Sequence, residues 1–66
     1  MQITVNGESR EIPQGATAQV LVELLELTGR RLAMEVNGEI VPRSQHATRT
    51  LETGDRIEIV HAVGGG

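Results

Sequence analysis

Apolar and polar residues alternate at the start of the chain. Met1, Ile3 and Val5 fall on one side and Gln2 and Thr4 on the other, the two-residue period of a strand. Asn6-Gly7 follows, the pair best suited to a type I′ turn because both central positions need positive φ. A return strand over about Glu8 to Ile12 closes the hairpin, and Pro13 and Gly15 end it. The period then changes. Between Thr17, a good N-cap, and Gly29, a good C′ residue, the pattern predicts a helix over roughly Ala18 to Thr28. Ala18, Leu21, Val22 and Leu25 lie in one narrow stripe of it. Val20, Leu24 and Leu27 make a second stripe, so the helix is apolar over more of its girth than one sheet can cover. Either loops and edge strands cover the second stripe, or it is a contact surface.

After Arg30-Arg31, alternation returns. Leu32, Met34 and Val36 oppose Ala33 and Glu35, Asn37-Gly38 repeats the tight-turn signal, and Glu39 to Val41 runs back as a short strand stopped by Pro42. Arg43 to Thr50 is polar and aperiodic, a connecting loop with room for one helical turn. Thr53-Gly54-Asp55 is a turn into the last strand, Arg56 to Ala62. There Ile57, Ile59 and His61 share one face, and Glu58, Val60 and Ala62 the other. The order predicts an α+β domain, a mixed sheet of about four to five strands packed on one main helix. The first and last strands can lie side by side in its middle. The domain is expected over 1–63, with a glycine tail over 64–66.

Composition narrows the functions. Sixty-six residues make one small domain, with no space for a two-domain enzyme. No run of about 18 apolar residues could span a membrane, and no secretory leader is recognisable at Met1. Cysteine is absent, which removes disulfides, iron–sulfur ligation and thiol nucleophiles; a cytoplasmic location follows as the expectation for a small domain without staples. Aromatics are 0% and the net charge is -3, which argues against a stacking platform or a phosphate-tracking surface for nucleic acid. All six cations are arginines, so no lysine amine is present.

Catalytic chemistry finds little support. Ser9, Ser44, His46 and His61 could in principle contribute to a triad, but a domain this small cannot surround a substrate. The two histidines lack acidic companions at ligand spacing, so no metal site is expected. His46 reads as a solvated loop side chain and His61 as a partly buried strand residue. The end of the chain stands apart. Gly64, Gly65 and Gly66 follow the last strand directly, and a thin stretch without side chains can thread into another protein's active site. The carboxylate of Gly66 is then the group presented.

These features resemble the ubiquitin-like β-grasp family, and within it the ThiS sulfur carriers of thiamine thiazole biosynthesis. The resemblance rests on Met1 to Gly7, on Val36-Asn37-Gly38-Glu39-Ile40-Val41-Pro42-Arg43, on Gly54-Asp55, and on Val60-His61-Ala62-Val63-Gly64-Gly65-Gly66. The Asn-Gly-Glu-Ile-Val-Pro-Arg run selects ThiS. The small subunit of molybdopterin synthase is similar in size and tail but carries proline just before its glycines, where this chain has Ala62-Val63. Gly64 departs from the other small residue common at that place. The resemblance implies no enzymatic activity in the chain itself. It implies a ThiF-type adenylyltransferase that brings its own ATP and magnesium, a cysteine-desulfurase-dependent sulfur donor and a ThiG-type thiazole synthase. The Gly66 carboxylate would become an acyl-adenylate and then a thiocarboxylate. Glu58, Val60 and Ala62, on the strand leading to the tail, are the expected partner contacts. A β-grasp modifier shares the same tail; an RNA-binding domain of this fold would need the basic face that the charge balance denies.

Overall fold

The structure, a computed structural model, describes residues 1–61. Its elements are β1 (Gln2–Val5), β2 (Glu8–Glu11), α1 (Ala18–Leu24), β3 (Leu32–Val36), β4 (Glu39–Val41), a 3₁₀ turn (Arg43–Gln45) and β5 (Arg56–His61). They form one five-stranded sheet in the order β2-β1-β5-β3-β4. The two hairpins are antiparallel, β5 is antiparallel to β3, and β1 runs parallel to β5. The last strand therefore lies at the centre of the sheet, as expected.

The alternation predicted from sequence decides which face is buried. Ile3 and Val5 of β1, Met34 and Val36 of β3, and Ile57 and Ile59 of β5 are buried beneath the helix side of the sheet. Ala18, Leu21 and Val22 of α1 meet them, and Leu51 closes the core from the loop before β5. Thr17 caps the helix as predicted, its hydroxyl accepting from the Val20 amide.

The helix is shorter than the pattern suggested. Leu25 is its C-cap, and Glu26 takes φ 59. The Glu26 amide donates to Glu23 O at 3.0 Å and the Leu27 amide to Val22 O at 2.9 Å. This is a Schellman ending with glutamate where glycine is usual. Gly29, expected as the C′ residue, instead sits at φ 82 in the following turn, where the Arg30 amide reaches Leu27 O. The early stop divides the second apolar stripe. Val20 and Leu27 pack partly against the core, Leu27 from beyond the helix, and Leu24 is left 53% exposed.

Polar side chains fasten the centre. Asn6 and Asn37 hold the positive-φ positions of their turns at 51° and 52°. Each also reaches β5 or the turn before it. The Asn37 carboxamide donates to Asp55 Oδ1 at 2.9 Å and accepts from the Arg56 amide at 2.9 Å. Asp55 is itself buried, and its other oxygen accepts the Glu52 amide at 2.8 Å. At the sheet's other end the Met1 ammonium contacts Glu11 Oε2 at 2.5 Å. That ammonium, first as hydrogen-bond donor and then as a nearby charge, holds the Glu11 carboxyl below its usual range.

Asn37→Gly keeps the turn's backbone conformation and removes both side-chain bonds. It should cost about 1–3 kcal/mol of folding stability in urea denaturation. A loss within experimental error would mean that these bonds do not hold the entry of β5.

Candidate functional site: the C-terminal strand and its two faces

β5 places the candidate residues by its two-residue period. Ile57 and Ile59 point into the core, and Glu58 and Val60 point away from the helix, both exposed. The face assignment made from sequence therefore holds for Glu58 and Val60, with Val60 63% exposed. Ala62, Gly64, Gly65 and Gly66 lie outside the described residues.

Strand register shows what surrounds Val60. It pairs with Ala33, and Glu58 pairs with Glu35, which in turn pairs with Ile40 of β4. Paired residues share a face, so Val60, Ala33 and Ile40 stand with two carboxylates on the outer side of the sheet. Among the described residues Ile40 is the most exposed of the large hydrophobic ones, at 73%. Sequence reasoning passed over it. The signal was available: Val41 had to face the core to continue the buried row with Met34, which turns Ile40 outward.

The histidines reverse their expected roles. His46 is 4% exposed, not solvated. It ends the 3₁₀ turn, and its Nε2 lies 3.1 Å from Val41 O, so that nitrogen carries the proton and donates. Its own carbonyl accepts the Gln19 amide, tying α1 to the end of β4. A polar loop gave no sign that one member would turn inward. His61 shares the face of Ile57 and Ile59 yet is exposed. The helix ends too early to cover it, and it borders an open groove with Leu25, Leu27 and Arg10.

No group of three or more metal-ligating side chains occurs among the described residues. No described helix is long and apolar enough to cross a membrane. The arrangement offers an exposed face on a central strand that ends at His61, three positions before Gly64 in the sequence.

Comparison with known proteins decides the lineage. The model of the ThiS family matches residues 3–66, nearly the whole chain and through its final glycine. The chain belongs to the ThiS family. It is 33% identical to "Sulfur carrier protein ThiS" of Escherichia coli (strain K12), over the full length of both. The crystal structure of the thiamine biosynthesis protein ThiS from Geobacter metallireducens superposes with a TM-score of 0.85 at 28% identity, covering both chains completely. The ubiquitin-like β-grasp fold is thus shared. A third relative, "Thiazole synthase" of Paramagnetospirillum magneticum, is 39% identical over all 66 residues, but this ThiS-family chain spans only 20% of its length. A second thiazole synthase, from Magnetococcus marinus, is matched over the same fraction.

For this ThiS-family chain, Val60→Asp tests the outward assignment. An exposed strand position should tolerate it for less than about 1 kcal/mol, read as a small shift in thermal melting. Unfolding of the variant would show that Val60 faces the core.

Proposed function

We propose that this chain is a sulfur carrier for thiamine biosynthesis, acting through the carboxylate of Gly66. The observation that carries the reading is a family match that runs through Gly66, on a fold whose central strand leads to the glycines. The full-length similarity to a named sulfur carrier supports it.

A free carboxylate resists nucleophiles. A ThiF-type adenylyltransferase, supplying ATP and magnesium, lets a Gly66 carboxylate oxygen attack the α-phosphorus and expels pyrophosphate. The resulting acyl-adenylate has AMP as a leaving group. The terminal sulfur of a persulfide on a cysteine-desulfurase-dependent donor attacks the carbonyl carbon and expels AMP, and a thiol then cleaves the acyl disulfide, leaving a thiocarboxylate on Gly66 and a disulfide on the donor side. A ThiG-type thiazole synthase then takes the sulfur for the thiazole ring, and an oxygen atom from the acceptor's carbonyl group or from water replaces it, so the carboxylate returns. Two thiazole synthases contain a stretch similar to this entire chain, which favours that acceptor. The carrier itself catalyses no step and binds no cofactor, and its place of work is the cytoplasm.

Each part of the chain has a role in this scheme. Gly64 and Gly65 keep the approach to the partner's active site narrow, because neither adds a Cβ. Glu58, Val60 and Ala62 make partner contacts along the strand that leads there. Ala33 and Ile40 extend that contact surface by their register with β5. The absence of lysine and cysteine leaves no strongly nucleophilic side chain to capture the activated terminus.

The test is partner-dependent exchange of pyrophosphate into ATP, which reports adenylation. Gly65→Val should abolish exchange, since a branched side chain both widens the tail and removes positive-φ conformations. Deletion of Gly65 and Gly66 together should also abolish it, whereas deletion of Gly66 alone can leave residual exchange at a Gly-Gly end. Thermal stability should be little altered. Full exchange with Gly65→Val or with the double deletion would refute the carrier reading.

A further inference from the structure

The parallel ladder between β1 and β5 outlasts the backbone of β1. Its last main-chain bond runs from the Asn6 amide to Ile57 O at 2.9 Å. There the chain turns away through Asn6-Gly7, while β5 continues for four more residues to His61. The Asn6 side chain fills the next rung. Its Oδ1 accepts the Ile59 amide at 2.8 Å, and its Nδ2 donates to Ile59 O at 3.1 Å. A carboxamide is a planar amide with one acceptor and donors on adjacent atoms, so it replaces the missing peptide unit. This bond pair links residues 53 positions apart and lies two residues before His61. On the other side β3 pairs as far as Leu32 with His61. The helix has ended by then and leaves His61 uncovered, so the Asn6 carboxamide is the fastening of this strand end on the β1 side.

We infer that Asn6 is a positioning residue for activation of the terminus: by completing the ladder at Ile59 it fixes the line along which β5 delivers the residues beyond His61. The inference rests on the carrier reading. The turn alone does not demand asparagine, because glycine supplies positive φ at lower steric cost. What asparagine adds is the bond pair to Ile59. Without it, β5 beyond Ile57 is held from one side, and the adenylating partner must order that end on binding.

The experiment pairs amide hydrogen exchange with pyrophosphate-exchange kinetics on a ThiF-type adenylyltransferase, with the carrier as varied substrate and the temperature well below melting. Asn6→Gly keeps the turn and removes the carboxamide. The Ile59 amide should then exchange about tenfold faster while amides of β3 keep their protection. The KM for the carrier should rise about 5- to 30-fold, the equivalent of ordering one further residue, with kcat nearly unchanged. Asn6→Asp retains an acceptor for the Ile59 amide and should recover part of both effects. Ile12→Val, at the opposite end of the sheet and similarly destabilising, should leave KM unchanged. Wild-type exchange with an unaltered KM for Asn6→Gly overturns the inference alone. An equal rise in KM for Ile12→Val overturns it as well, by assigning the effect to global stability. A wild-type protein that supports no exchange overturns the carrier reading and this inference with it.

Discussion

Strand β5 reaches the middle of the sheet through a parallel pairing with β1 whose register covers only Thr4 with Arg56 and Val5 with Ile57. Parallel pairing joins the first and last strands of the chain, so its closure entropy is the largest in the fold. Its backbone bonds, among them Thr4 N to Asp55 O and Asn6 N to Ile57 O, are reinforced at both ends by side chains. Asn37 and Asp55 secure the entry of β5, and Asn6 secures its exit. The apolar row of Ile3, Val5, Ile57 and Ile59 then packs under the helix as one continuous surface. This pairing, together with that of β5 to β3, joins the two hairpins into a single sheet.

Central placement has a functional consequence. An edge strand would expose an unpaired row of amides beside the glycine residues, open to pairing with any extended chain. From Arg56 to Ile59, β5 is flanked by β3 on one side and by β1 and the Asn6 carboxamide on the other, and over that stretch it presents only its faces. On β5 the face carries Glu58 and Val60, widened by Ala33, Glu35 and Ile40 from the neighbouring strands. In the sequence the glycines follow its end. Glu35 and Glu58 stand directly opposite each other, a like-charge pair that costs the free protein some stability and gives the face a negative centre. The exposed surface thus lies on the strand that precedes the glycines in the sequence.

Much of this was legible in the sequence because it depends on period. Alternation in Met1–Val5, Leu32–Val36 and Arg56–Ala62 predicted the strands, within the described residues, and their buried faces apart from His61, and the two Asn-Gly pairs predicted the hairpins. The helix boundary was missed because the Schellman ending uses Glu26, whose identity carries no left-handed signal, while Gly29 three residues later carries a strong one. His46 was misplaced because burial of one polar loop residue is decided by packing against α1 and β4, which no local pattern records. The second roles of Asn6 and Asn37 were hidden for the same reason. Their turn chemistry was visible, and their partners lay 53 and 18 positions away. Of the site, Glu58 and Val60 followed from the strand period, and Ile40 joined them only once register was known.

Intact-mass analysis of the protein bears most directly on the central claim that the Gly66 carboxylate carries sulfur. The wild-type chain is incubated with a ThiF-type adenylyltransferase, magnesium, ATP and a cysteine-desulfurase sulfur source. The account predicts a mass gain equal to replacement of one oxygen by sulfur, located by fragmentation to Gly66 and dependent on ATP. An unchanged mass under conditions where the partner consumes ATP on this chain, or a gain located elsewhere, would contradict it.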